Sequence, residues 1–348
     1  MNRQFPALRG LAIILVVLNH TTTLGTQYPQ LWGYPPPPEW LNFIILTLNQ
    51  LGVFAVPIFL FLSGCFFAYA IQNKNMRQSY KTVGSGLKNI LWPYLFWSII
   101  FYIEIFFLHK QTYTFLGYVK NLIVGYPLNF VPLLIVYYLV SPLLVRFCKR
   151  YALIVILIIG VYQLFLINLV NPGVLGFTFP GWARFLKFPI LSVTLSDWAI
   201  FFPLGIIYSI HMKSVIPYLR KFQWILIGLT GVFFALTVLN FAIFIYFPSA
   251  KWIAPILFIA LIPLIKRESI PIVRQFEKVG KRAYGLYLIN LTVMDLTLYA
   301  IRGLTPRMLG VPLILLPVIF VIALWAPLLL MNAMERLPNH GVYRYVFG

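Results

Sequence analysis

Ten stretches of this chain are longer and more apolar than a soluble core can hide. They lie at about 7–25, 43–71, 89–108, 129–146, 151–170, 194–211, 223–246, 251–266, 283–302 and 309–332, near the roughly 20 residues that a helix needs to cross a bilayer. Between them only short polar connections remain, so no separate soluble domain is expected. Of the 348 residues, 61% are hydrophobic and 10% charged. Soluble domains carry about 25% charged residues. The expected fold is therefore all-α: a polytopic transmembrane helix bundle of about ten spans, one integral-membrane domain over residues 1–348.

The basic residues set the expected orientation. With the N-terminus inside, 20 of the 27 Lys and Arg fall on inner connections. Seven fall outside: Lys110, Lys120, Arg184, Lys187, Lys251, Arg302 and Arg307. The positive-inside rule then places both termini in the cytoplasm. Losing one span would invert every later loop and spoil the asymmetry. A multi-pass protein of the plasma membrane, with the lipid bilayer as its first partner, is the expectation.

Other classes recede on the same grounds. The net charge of +20 is spread over many short loops, with no basic face or RNA-reading motif, so no nucleic acid is expected. Cys65 lies in an apolar segment and Cys148 beside Arg146, Lys149 and Arg150, which suits packing better than a disulfide. Two cysteines among scattered histidines form no metal site. The apolar run Leu11–Leu18 lacks a cleavage site and reads as the core of the first permanent span.

Two outer connections have their own character. Residues 35–38 are four consecutive prolines, a stiff polyproline segment. Asn168 to Val193 is the longest outer connection, with Phe177, Phe179, Trp182 and Phe185 among Gly and Pro. It reads as a functional lid or as an interfacial segment that only packs. The mixed segment 110–128 is expected to hold a short interfacial helix.

The chemistry concentrates in the first span. Arg9 and His20 are costly residues in a membrane and mark functional positions there. Eleven residues apart, they return to within about 20° on a helix and stand about 16 Å apart along its axis. The blander alternative is a snorkelling Arg and a hydrogen-bonded packing His. Glu104 and Asp295 also fall within spans, where they face a cavity or pair with bases such as Arg302 or Arg184. Asp295 shares a helix face with Tyr287 and Leu291. Carboxylates with aromatics suit sugar recognition, which makes Glu104, Asp295, Tyr287, Asn290 and Trp182 candidate substrate contacts. Ser63-Gly64 lacks the glycine pattern of a nucleophile elbow and reads as a close-packing position. The basic cluster Lys266, Arg267, Arg274, Lys278, Lys281 and Arg282 is mostly positive-inside charge, with donor phosphates as a second possibility. His109, His211 and His340 sit at span ends or in the tail, and no chemistry is expected of them.

The opening Phe5-Pro-Ala-Leu-Arg-Gly-Leu-Ala, continuing to His20, resembles the start of acyltransferase family 3, integral-membrane enzymes that acylate carbohydrates and related acceptors. Val56-Pro-Ile-Phe-Leu-Phe-Leu-Ser-Gly64 is similar to the family's second-span motif. Tyr137-Tyr-Leu-Val-Ser-Pro-Leu-Leu resembles a fourth-span ending, and Gly280-Lys-Arg-Ala-Tyr-Gly-Leu-Tyr-Leu the late Gly-x-x-Ser-Tyr-x-x-Tyr-Leu motif. The likeness covers essentially the whole chain. The chain departs from the pattern at Asn290, where relatives often have His, and at Asn129-Phe130, where they often have Trp-Phe.

The resemblance implies an acyl-CoA donor, with acetyl-CoA the expected one, and a hydroxyl of a carbohydrate or glycolipid as acceptor. It implies His20 and Arg9 as catalytic residues, with Arg9 also holding the donor. A neutral imidazole can take the hydroxyl proton during attack on a thioester, or can itself be acylated. The fixed donors of Arg9 suit a phosphate or carbonyl. The alternative is a non-catalytic exporter or flippase of a polysaccharide intermediate. That reading calls for paired broken helices, and no internal repeat is visible.

Overall fold

The computed structural model describes the chain from Gln4 to Gly348, except Pro189, Leu337, Asn339 and the side chain of His340. The expectation for His340 therefore lies outside the described residues.

The described residues are all-helical, with no strand among them. The chain runs α1 (Phe5–Leu31), α2 (Glu39–Gln50), α3 (Ala55–Ile71), α4 (Met76–His109) and α5 (Phe115–Val124). It continues through α6 (Phe130–Val170), α7 (Ser192–Trp198), α8 (Phe201–Lys221), α9 (Gln223–Phe241) and α10 (Ala250–Leu261). It ends with α11 (Val273–Lys281), α12 (Ala283–Leu304), α13 (Pro312–Glu335) and α14 (His340–Phe347). Pro38 before α2 has φ −60° and ψ 151°, the polyproline conformation expected there. The expected short helix between 110 and 128 is α5.

Among the described residues, seven helices are long and apolar enough to cross a membrane, or eight if the bent pair α7–α8 is one span. The difference from ten has local causes. Helix α6 holds 41 residues, so it is about 62 Å long, twice a hydrocarbon core. Its ladder is interrupted at Tyr151, with φ −128° and ψ 41°, between the two stretches read as separate spans. Helix α10 has twelve residues, about 18 Å, and is too short alone.

The helices group into two compact units. The first comprises Met1–Phe5, Val56–Lys88 and Gly117–Pro271, where α6 packs on α7 and α8, and α9 on α10. Inside it α3 and α8 touch backbone to backbone. A Cβ on Gly64 would lie 2.1 Å from the Phe202 carbonyl oxygen, and one on Gly205 2.0 Å from that of Phe61. Only glycine permits this approach, so the packing role read for Ser63-Gly64 is met by the glycine. Tyr137 stacks on Phe202 at 4.8 Å, and its hydroxyl donates to the Ala199 carbonyl. Cys65 and Cys148 are free and buried.

The second unit comprises Pro6–Ala55, Asn89–Leu116 and Ile272–Gly348. Its apolar centre joins Val17 of α1, Met294 and Leu298 of α12, and Leu315 and Ile319 of α13. Here too a glycine pair sets the spacing. A Cβ on Gly10 would sit 2.0 Å from the Phe276 oxygen, and one on Gly280 1.9 Å from the Pro6 oxygen. Both glycines belong to motifs quoted above, Arg9-Gly10 and Gly280-Lys281.

Gly64→Ala and Gly280→Ala should therefore each lower stability by about 1–3 kcal/mol, because the added methyl meets main chain that cannot rotate away. Gly84→Ala, with nothing within 4 Å, should be neutral or stabilising by up to about 1 kcal/mol. Thermal unfolding of the three variants in detergent checks the contrast.

Candidate functional site

The candidate site is built in the second unit, around the middle of α1. This helix carries an unusual polar run for a span, Asn19-His20-Thr21-Thr22-Thr23. Each member has a partner. Asn19 Nδ2 donates to the Asn49 carbonyl at 3.0 Å, and Asn49 Nδ2 returns bonds to the Asn19 carbonyl, Thr22 Oγ1 and Thr23 Oγ1 at 3.2, 3.0 and 2.8 Å. Thr22 also bonds back to the carbonyls of Leu18 and Asn19, keeping its hydroxyl satisfied within the helix. Asn49 thus clamps the last turn of α2 to α1. Gly52, just beyond, has no room for a Cβ, which would lie 2.5 Å from the Cβ of Asn19.

His20 is half-buried and points the other way, toward α12. Its Nδ1 lies 2.7 Å from Asn290 Oδ1. Asn290 is completely buried, and its Nδ2 donates to the carbonyls of Leu286 and Tyr287 at 3.0 and 2.6 Å. Two carbonyl acceptors need an amide NH₂ facing them, so the side-chain oxygen must face His20. That oxygen only accepts, so Nδ1 carries the hydrogen. In the neutral ring Nε2 is then the unprotonated, basic nitrogen. Thr21 packs its hydroxyl on Met294 Sδ at 4.0 Å, holding the same face of α1 against α12.

Arg9 lies three turns earlier on α1, half-buried, next to the glycine contact between α1 and α11. The structure keeps it on the helix of His20, as the spacing requires. Of the candidate substrate contacts, Asn290 touches His20 directly, and Tyr287 is buried one turn below it with its carbonyl bound to Asn290.

Glu104 and Asp295 come together elsewhere in this unit. Glu104 lies against Thr292 and Asp295 without a hydrogen bond of ordinary geometry; both its oxygens, like Asp295 Oδ1, are closed to water. Asp295 Oδ2 pairs with His109 Nε2 at 2.9 Å and, among the described residues, not with Arg302. His109, of which no chemistry was expected, is thus the partner of a buried carboxylate. It also faces Tyr28 Oη at 3.2 Å and Tyr299 Oη at 3.4 Å. Tyr28 stacks on Trp32 at 5.4 Å, and the Arg302 guanidinium covers that indole at 4.7 Å. The cation read as an ion-pair partner is spent on a ring. A sequence sign of this column existed in the aromatic spacing Tyr28–Trp32, one turn apart.

Trp182 belongs to the first unit, in a short 3₁₀ turn at Gly181–Leu186, and is exposed. In the same connection Phe179 packs on Phe165 of α6 at 4.8 Å, while Phe185 is exposed. Among the described residues no group of three or more His, Cys, Asp or Glu is placed to hold a metal ion.

Several helices long and apolar enough to cross a membrane, with a half-buried imidazole oriented by a buried amide, describe a multi-pass membrane protein. The family model described as an acyltransferase domain matches residues 2–332, essentially the whole chain, and the protein belongs to this acyltransferase 3 family. Comparison with curated proteins and with solved structures gives no match. The family carries acyl transfer within a membrane to this chain.

The Asp295–His109 pair should behave as one unit. His109→Leu alone should cost about 3 kcal/mol or more, since it strands a buried carboxylate. The double variant His109→Leu/Asp295→Leu should recover most of that loss in the same thermal unfolding assay. Additive losses would show that the two side chains act separately.

Proposed function

We propose that this protein is an O-acyltransferase that moves a small acyl group, acetyl in the first instance, from acyl-CoA to a hydroxyl of a carbohydrate or glycolipid. The observation that carries the reading is the His20–Asn290 hydrogen bond, because it presents Nε2 as a base. The acceptor hydroxyl gives its proton to His20 Nε2 while its oxygen bonds to the thioester carbonyl carbon. The C–S bond breaks, and the leaving thiolate takes the proton back from the imidazolium. No net charge is left on the protein. Asn290 keeps the ring in the useful tautomer and steadies the imidazolium as it forms, the part a carboxylate plays in hydrolase triads. Arg9, with its planar set of donors, holds the donor's phosphate or carbonyl.

In the membrane we read ten crossings, with α6 divided at Tyr151, α7–α8 as one broken span and α10 as a short one. Both termini are then cytoplasmic, in the plasma membrane, supported by the 20-to-7 division of basic residues. Glu104 and Asp295 are buried, so a sugar reaches them only if the packing around them opens. Trp182, exposed among other aromatics, suits an acceptor-side contact.

Labelling checks the topology. With the buried Cys65 and Cys148 as background, a membrane-impermeant thiol reagent on intact cells should reach Pro36→Cys and miss Asn75→Cys. Labelling of Asn75→Cys overturns the orientation.

The function is tested first by mass spectrometry of envelope glycans from cells with and without the protein. A loss of one acyl mass is expected. Unchanged glycan masses with loss of the surface polymer would replace this reading by export. Against the identified acceptor, His20→Gln should lose about 10² to 10⁴ in kcat, since glutamine hydrogen-bonds but takes up no proton at neutral pH. Near-normal turnover would make His20 structural. Asn290→Leu should lower kcat and leave the donor KM unchanged.

A further inference from the structure

The first unit contains a cavity of about 770 Å³ that the His20 site does not use. Its apolar wall is Met212 and Ile216 of α8, with Pro263, Leu264 and Ile265 from the turn after α10. Its polar side brings together Arg220, Lys266 and Arg267, with the amides of Gln4 and Gln223, and Glu268 as the one acid. These residues come from three separate parts of the chain: the stretch before α1, the α8–α9 junction and the turn after α10.

Positive-inside charge explains cations on these loops. It does not explain why three of them line one recess, or why Gln4 is 8% exposed in its wall. The wall is also locally constructed. Helix α8 breaks at His211, with φ −106° and ψ 22°, and His211 Nε2 donates to the Cys148 carbonyl at 2.9 Å. The break redirects α8 just before Met212, the first residue that α8 gives to the lining. The volume falls in the range of small-molecule sites, about 300–1,000 Å³. Three cations against one acid leave an excess of positive charge for an anion. Guanidinium groups and an ammonium suit phosphate oxygens, and the apolar wall suits a planar base or an alkyl arm.

We propose that this cavity binds a phosphorylated nucleotide, the adenosine 3′,5′-bisphosphate part of CoA, with Arg220, Lys266 and Arg267 on its phosphates. The choice of CoA rests on the acyl-CoA reading above. An anionic lipid headgroup offers the same phosphate chemistry, so the experiment separates the two sources.

The full chain, purified in detergent, is titrated with radiolabelled CoA. Adenosine 3′,5′-bisphosphate, pantetheine and short-chain phosphatidylglycerol serve as competitors. The expected result is displacement by the bisphosphate but by neither of the others. Arg220→Gln/Lys266→Gln should weaken CoA binding at least about tenfold, as charge-assisted phosphate contacts are lost. Lys213→Gln, a neighbouring cation outside the lining, should keep wild-type affinity. Competition by phosphatidylglycerol as strong as by the bisphosphate, or by pantetheine alone, overturns the assignment, as does wild-type affinity in the double variant. Elution of the double variant as the wild-type monodisperse peak guards against misfolding, and Arg267→Gln alone gives a second, milder variant. If acyl transfer occurs but the double variant keeps the wild-type donor KM, this site fails and the function stands. If CoA binding depends on Arg220 and Lys266 while no transfer is found with any acceptor, the function fails and the site stands.

Discussion

In hydrocarbon there is no water to complete a hydrogen bond, and this requirement governs where α1 can sit. Asn19, His20, Thr21, Thr22 and Thr23 occupy consecutive positions and therefore point around most of the helix circumference. Asn49 takes one side, Asn290 and Met294 another, and the helix's own carbonyls absorb the rest. Rotating α1 by one residue would break several of these bonds at once. The depth and rotation of His20 are thus set by polar contacts, and the apolar packing of Val17 against α12 and α13 follows from them.

The orientation of the imidazole depends in turn on an asparagine locked by main chain. Asn290 spends both amide hydrogens on Leu286 and Tyr287, so it has only an acceptor to offer. A histidine at that position, as the family pattern often has, would bring an ionisable partner to His20. Here the partner is a neutral amide, so His20 is the ionisable side chain of this pair.

Some of this was legible in the residue order. Arg9 and His20 stand on one face of one helix because eleven residues make close to three whole turns. Gly64 in an apolar span pointed to close packing, and the structure shows main chain against it. What was not legible came from long-range pairing. Nothing near Asn290 in the chain marks it as the partner of a residue 270 positions away. Asp295 was read against arginines because opposite charge is the only pairing a sequence displays; its partner, His109, stands at a helix end and looked idle. Each of the ten apolar stretches holds helix, although 223–246 leaves it after Phe241 and 194–211 is broken between α7 and α8. Their count as separate spans is obscured at Tyr151, where one irregular residue joins two stretches into a continuous helix.

The glycine contacts carry a consequence for how this architecture tolerates change. Where Gly10 faces Phe276, and Gly64 faces Phe202, the opposing surface is a carbonyl, which every residue type supplies. Such a joint needs one hydrogen atom in place of a side chain and asks nothing of Phe276 or Phe202 beyond main chain. Matched knobs and holes would have to vary in concert; here each helix must keep only its own glycine, Gly205 and Gly280 on the facing helices, while the residues that supply the carbonyls are free to vary.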